Sequence, residues 1–178
     1  MNWVRASMAV ALVALTAQTA GDQIVVQQVM KEVVAPQANF LWDVGNRAMD
    51  DNGDADASRV SAADWSKLMS SGRAMKDAAT KMAAATKVIV AAPGTKVQDE
   101  GASGSLTAAQ IQKHVDADRQ GFTERSRELA VVSDEFLAAA EAKDAAKLVA
   151  ASGRLDQVCE ACHVKFWYPE QDGGAAAK

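Results

Sequence analysis

Cys159 and Cys162 are the only cysteines in the chain, and with His163 they spell a C-x-x-C-H box, Cys159-Glu160-Ala161-Cys162-His163. That spacing is the attachment signature for a c-type haem. Each thiol adds across a vinyl group of the porphyrin, and the imidazole of the next residue binds iron from the proximal side. A chain of this kind must fold around a porphyrin fixed permanently near its C-terminus.

Three other chemistries use such a cysteine pair. A redox disulfide usually opens a helix after a strand in a βαβ context, and nothing upstream reads as a strand. A zinc site needs four ligands, and only His114 remains as an obvious soft partner. A structural disulfide is poorly served by a C-x-x-C within a helix. The haem reading fits best, and the N-terminus strengthens it. Arg5 is followed by a short apolar run, Ala6 to Ala17, and then by small residues through Gly21. That is the pattern of an export signal, too short for a comfortable transmembrane helix. Cleavage falls after Ala17, Ala20 or Gly21. We take 1–21 as the signal, with an uncleaved anchor as the alternative, and expect no stable membrane insertion from the remainder.

The 178 residues suggest one domain over 22–170, with a flexible tail at 171–178. A formal charge of −4 and the lack of a basic cluster argue against nucleic acid. Apolar residues make up 49% of the chain but aromatics only 5%, and alanine dominates. Alanine alone fills a core poorly, so a porphyrin would supply bulk that the side chains lack.

The mature region reads as helices throughout, with no convincing period-two run and no repeat. The first helix is expected over Asp22 to Gly45, with Val26, Met30 and Val33 on one face and a kink or restart at Pro36. Asp50 to Arg59 is a polar loop. Its acids invite a calcium reading, but Ala55 and Ser61 stand where an EF-hand needs Gly and Glu. Ser61 caps the second helix. Its seam runs through Trp65, Leu68, Gly72, Met75, Ala79, Met82, Thr86 and Ile89 to a stop at Pro93-Gly94. The third helix is expected from Thr107 to Ala142, bending near Gly121, with Phe122, Leu129, Val132, Phe136 and Ala140 buried. The fourth starts near Asp144 and follows Leu148, Ser152, Leu155, Cys159, Cys162 and Phe166 to Pro169. Both cysteines then face the interior. The expected fold is all-α, a four-helix bundle with covalent haem c on its C-terminal helix.

CEACH near the C-terminus, Phe166 three residues after the haem histidine, and four helices after a signal peptide resemble the class II c-type cytochromes. These are cytochrome c-prime and its low-spin c-556-type relatives. The phrases Val29 to Gly45 and Cys162 to Gln171 are similar to a divergent bacterial branch. The resemblance implies a periplasmic bundle with one covalent haem, Cys159 and Cys162 as thioethers and His163 as the proximal ligand. Low-spin members take a sixth ligand from a methionine on the first helix, and Met30 matches that position. A Met/His pair raises the reduction potential. Met49, Met69, Met75, Met82 and a solvent-facing His114 are weaker candidates, and an ordinary core role is the other reading of Met30. One departure stands out. Cytochrome c-prime commonly has a basic residue four positions after the haem histidine, where this chain has Trp167.

No catalytic constellation is visible, so the expectation is not an enzyme but a periplasmic mono-haem carrier of single electrons. It would meet transient redox partner proteins through a small interface. Family analogy implies a homodimer through the first two helices. The alternative is a five-coordinate protein that binds diatomic gases, NO or CO.

Overall fold

The computed structural model describes residues 22–102 and 105–169. The expected export signal and tail lie outside them. The described chain is mostly helical. Strand β1 (Gln23–Val25) leads into α1 (Val26–Val29), a π turn (Met30–Val34) and α2 (Ala35–Arg47) as one continuous helical run. Pro36 accounts for the π turn. It has no N–H to donate to a carbonyl four residues back, and its ring crowds that carbonyl. The backbone widens, and the Ala35 N–H donates to the carbonyl of Met30, five residues back. The sequence predicts a kink or restart here; the chain instead absorbs the proline by bulging at Met30.

Helix α3 (Ala62–Ala84) starts at the expected cap. Ser61 Oγ accepts from the Asp64 N–H at 3.0 Å, and the Asp64 carboxylate accepts from the Ser61 N–H at 3.3 Å. Its seam is buried from Trp65 to Met82, but the helix ends at Ala84, nine residues before the predicted stop at Pro93. Thr86 is exposed, and Ile89 belongs to β2 (Lys87–Ile89). This strand runs parallel to β1, with Ile24 opposite Val88. The β-branched run Val88-Ile89-Val90 favours extended backbone, and Val88 and Val90 are buried. The all-helical reading missed this ladder because three residues per strand are too few to show alternation.

The predicted third helix is two, α4 (Ala108–Ala117) and α5 (Arg119–Ala142). Asp118 breaks it, with φ −133° and ψ 64°, and its carboxylate caps α5 by accepting from the Gly121 N–H at 2.8 Å. Gly121 is required there. A Cβ would run into the Asp118 carboxylate and the Lys165 ammonium, which form an ion pair at 2.6 Å. After a left-handed turn at Lys143, Asp144 caps α6 (Ala145–Phe166) through the Lys147 N–H at 3.0 Å.

Helix α5 packs along α3 and α6, and α2 packs against the same two helices. The predicted stripe of α5 is buried from Phe122 to Ala140, as are Leu148, Ser152, Leu155 and Phe166 of α6. The polar loop folds on itself, with Asp50 accepting from the N–H groups of Asn52 and Asp54 at 2.8 and 2.9 Å.

Candidate haem site

Phe122, Leu129 and Ser126 of α5 form one wall of a cavity of about 960 Å³. Val158, Cys159, Cys162 and His163 of α6 form another, and Val26, Met30, Val34 and Ala38 close the opposite side. Met82 contributes from the end of α3, and Lys96, Val97 and Gln98 from the segment after β2. The volume is at the upper end of the range of about 300–1,000 Å³ for small-molecule sites. The site therefore joins residues more than a hundred positions apart in sequence.

Helical spacing explains the haem box. Cys159 and Cys162 lie three apart on α6 and are half-buried at the cavity wall. Both thiols are free. Burial and the nearby Asp156 carboxylate raise the Cys159 thiol to about 11. Burial, with Cys159 beside it, raises Cys162 to about 12. A redox-active C-x-x-C depends on a depressed thiol pKa, and burial acts here in the opposite direction. Zinc also lacks support: among the described residues no group of three or more His, Cys, Asp or Glu side chains converges.

His163 is exposed as a residue yet borders the cavity. Burial of its ring lowers the imidazole pKa, against a smaller upward pull from Glu160. The neutral form, which carries the lone pair a metal needs, is thereby favoured. The ring is flanked by Trp167 at 6.1 Å and Tyr168 at 6.5 Å between centroids. The N–H groups of both flanking residues donate to the His163 carbonyl, at 2.7 and 2.9 Å. They terminate α6 and hold its last turn.

Met30 is half-buried on the cavity side, at the first residue of the π turn. π turns frequently mark functional positions because they redirect a side chain. Met82, assigned by sequence to the packing seam, is fully buried and also reaches the cavity. His114 is exposed on α4 and does not border the cavity, and neither do Met49, Met69 and Met75.

Sequence reasoning overlooked Trp42, whose Nε1 donates to the Ser152 carbonyl at 3.3 Å beside the cavity. It also overlooked Arg125. The signal for Arg125 was present: it falls between Phe122 and Leu129 at helical spacing, a cation on the edge of an apolar stripe. The strap residues Lys96 to Gln98 carried no such signal. Gln27 holds the strap in place, its side-chain amide donating to the Lys96 carbonyl and accepting from Thr95 Oγ1 at 3.3 Å.

The cavity fits a porphyrin by the chemistry of its walls. They offer apolar faces, the two thiols of the C-x-x-C box, an imidazole held toward its neutral form and a thioether, with cations Lys31, Lys96 and Arg125 among them. A helical protein with such a site is of the c-type haem class. The family model described as Cytochrome C' matches residues 68–167, and the chain belongs to that family. Its cofactor is covalently attached haem c, with iron. The matched span includes the whole C-x-x-C-H box but begins after the helical run that bears Met30. Members of the family are typically exported. Among the described residues no helix is long and apolar enough to cross a membrane. Comparison with curated proteins and with solved structures gives no match.

Proposed function

We propose that this chain is an exported, periplasmic mono-haem cytochrome of the four-helix-bundle type that carries single electrons, rather than an enzyme. In this reading α1 with α2, α3, α5 and α6 are the bundle, Cys159 and Cys162 hold the haem as thioethers, and His163 is the proximal ligand. Met30 supplies the sixth ligand. The supporting observation is that Met30, Cys159, Cys162 and His163 border one cavity from helices at opposite ends of the sequence.

When bound, the haem supplies an iron that alternates between ferric and ferrous states. The protein's contribution is arrangement. His163 keeps a neutral ring with its lone pair available. The Met30 thioether is soft and, as a ligand, favours the ferrous state while filling the position a diatomic gas would need. Phe122, Leu129, Val34 and Val158 line the cavity with apolar groups that would exclude water from a bound porphyrin. Trp167 and Tyr168 stand beside the haem histidine where a redox partner would approach. Transient exchange with such a partner needs only a small interface.

Ferrous protein should bind carbon monoxide slowly or not at all, and the ferric form should show the weak sulfur-to-iron band in the far red. Met30→Ala should turn high-spin and bind carbon monoxide readily. A wild type that is already high-spin and open makes gas binding the function. If Met30→Ala instead stays low-spin, the buried Met82 becomes the ligand to test.

A further inference from the structure

The three cations at the cavity contrast with the rest of the chain. The protein carries a formal charge of −4, yet the cavity is bordered by Lys31, Lys96 and Arg125 and by no carboxylate among the described residues. Arg125 differs from the two lysines in its burial and its bonding. Its Nε is fully buried and finds no hydrogen-bond partner among the described residues. Its Nη1 pairs with Glu128 one turn on, at 2.8 Å, which leaves the Nε side of the guanidinium fork unused. The neighbouring hydroxyl of Ser126 donates to the Phe122 carbonyl at 2.8 Å and does not accept from the Arg125 Nε.

A buried donor without an acceptor costs free energy, more so on a charged group. A guanidinium is shaped to give two parallel N–H bonds to a carboxylate. Haem carries two propionate carboxylates, and the cavity bordered by Arg125 is the one that holds the C-x-x-C-H box. We infer that Arg125 anchors a propionate of the bound haem through its Nε side while Glu128 holds the guanidinium from the other. The inference rests on haem occupying this cavity and is independent of whether Met30 binds the iron.

The other charged or titratable groups at this end of the cavity are Glu128 on its own helix, Lys31 and Lys96 on other elements, and Cys159, Cys162, His163, Lys165 and Tyr168 on and just after α6. The test compares holoprotein of wild type, Arg125→Gln, Arg125→Lys and Glu128→Gln, with haem content checked by peroxidase stain. The measurement is midpoint potential against pH from 5 to 9. A paired propionate stays ionised, so wild type should be flat over most of this range. Arg125→Gln should shift the potential downward, since a cation near the iron is lost. It should also become pH-dependent near neutrality, as the unpaired carboxylate takes up a proton on reduction. Arg125→Lys should largely restore the wild-type profile, and Glu128→Gln, which removes an anion, should neither lower the potential nor make it pH-dependent near neutrality. Superimposable profiles for Arg125→Gln and wild type would overturn the assignment. So would an identical change in Glu128→Gln, because the ion pair would then be structural only. Should Arg125→Gln yield no holoprotein, the propionate bending mode in the resonance Raman spectrum of Arg125→Lys decides. A shifted frequency supports the contact, and an unshifted one overturns it. The optical test of Met30 is read separately, so failure of one leaves the other standing.

Discussion

One half of the helical body is filled by side chains and the other is built around a cavity. Away from the haem box, Leu68 and Met75 of α3, Phe136 of α5 and Leu148 of α6 are all fully buried. There helices approach closely through small residues: a Cβ on Gly45 would fall on the hydroxyl of Ser152 and 2.9 Å from its Cβ. Toward the box, Phe122, Met82 and Val158 are also buried, but they surround about 960 Å³. The same alanine-rich composition gives both halves. What differs is which residues the helices bring opposite one another: Phe136 is fully buried and borders no part of the cavity, whereas the cysteines lie among residues that leave room for a ring. Small side chains are thus a means of close packing in one half and of leaving space in the other.

The strongest way to break this comparison is to withhold the haem. A Cys159→Ala, Cys162→Ala double variant should lose covalent haem, show a lower and broader thermal transition, and lose helicity. Hydrogen exchange should speed up in 26–39, 122–129 and 158–166 while protection persists in 65–75 and 132–148. A sharp transition near the wild-type midpoint, with uniform protection, would mean that the cavity half packs well unaided.

Core truncation should separate the halves next. Phe136→Ala should cost about 3–5 kcal/mol in denaturant unfolding, as a buried aromatic typically does. Phe122→Ala should cost clearly less in haem-free protein, because one side of that ring already faces the cavity. Equal losses at both positions would erase the distinction.

Overpacking tests the close approach of α2 and α6. Gly45→Ala should destabilise by about 1–3 kcal/mol, and Ser152→Gly in the same chain should recover most of that loss. Without such recovery, the cost would have to come from somewhere other than this contact.

The smallest effect concerns Asp118, which joins the start of α5 to α6. Its hydrogen bond to Lys165 and the Gly121 N–H hold its pKa below the ordinary 3.8. The folded form therefore binds its proton later than the unfolded chain. The resulting stabilisation is present above pH 3.8 and is lost as pH falls through the depressed value. Asp118→Asn should lower Tm near pH 6, and the gap should narrow on acidification below 3.8. A gap that stays constant with pH would assign the effect to the cap alone.

Much of this was legible from residue spacing. The seams of α3, α5 and α6 appear in the sequence because a buried helix face repeats every three or four residues. Ser61 and Asp144 announce helix starts because their side chains satisfy backbone donors locally. The misses share a cause. Thr86 and Ile89 continue the α3 spacing, but pairing with β1 competes for that backbone, and β1 lies more than sixty residues away. Asp118 sits inside a helical pattern, and Lys165, its partner from α6, also comes from a distant part of the chain.

The haem-attachment signature, the mostly helical class and the faces the main helices bury could be read from the chain alone, because each of these depends on residues within a few turns of one another. Only the tertiary structure decided that Met30 and Met82 both reach the cavity wall, that Lys96 to Gln98 lie along its rim, and that Arg125 has a buried donor without a protein acceptor. Those features arise where distant segments meet, and helical periodicity carries no information about which segments those will be.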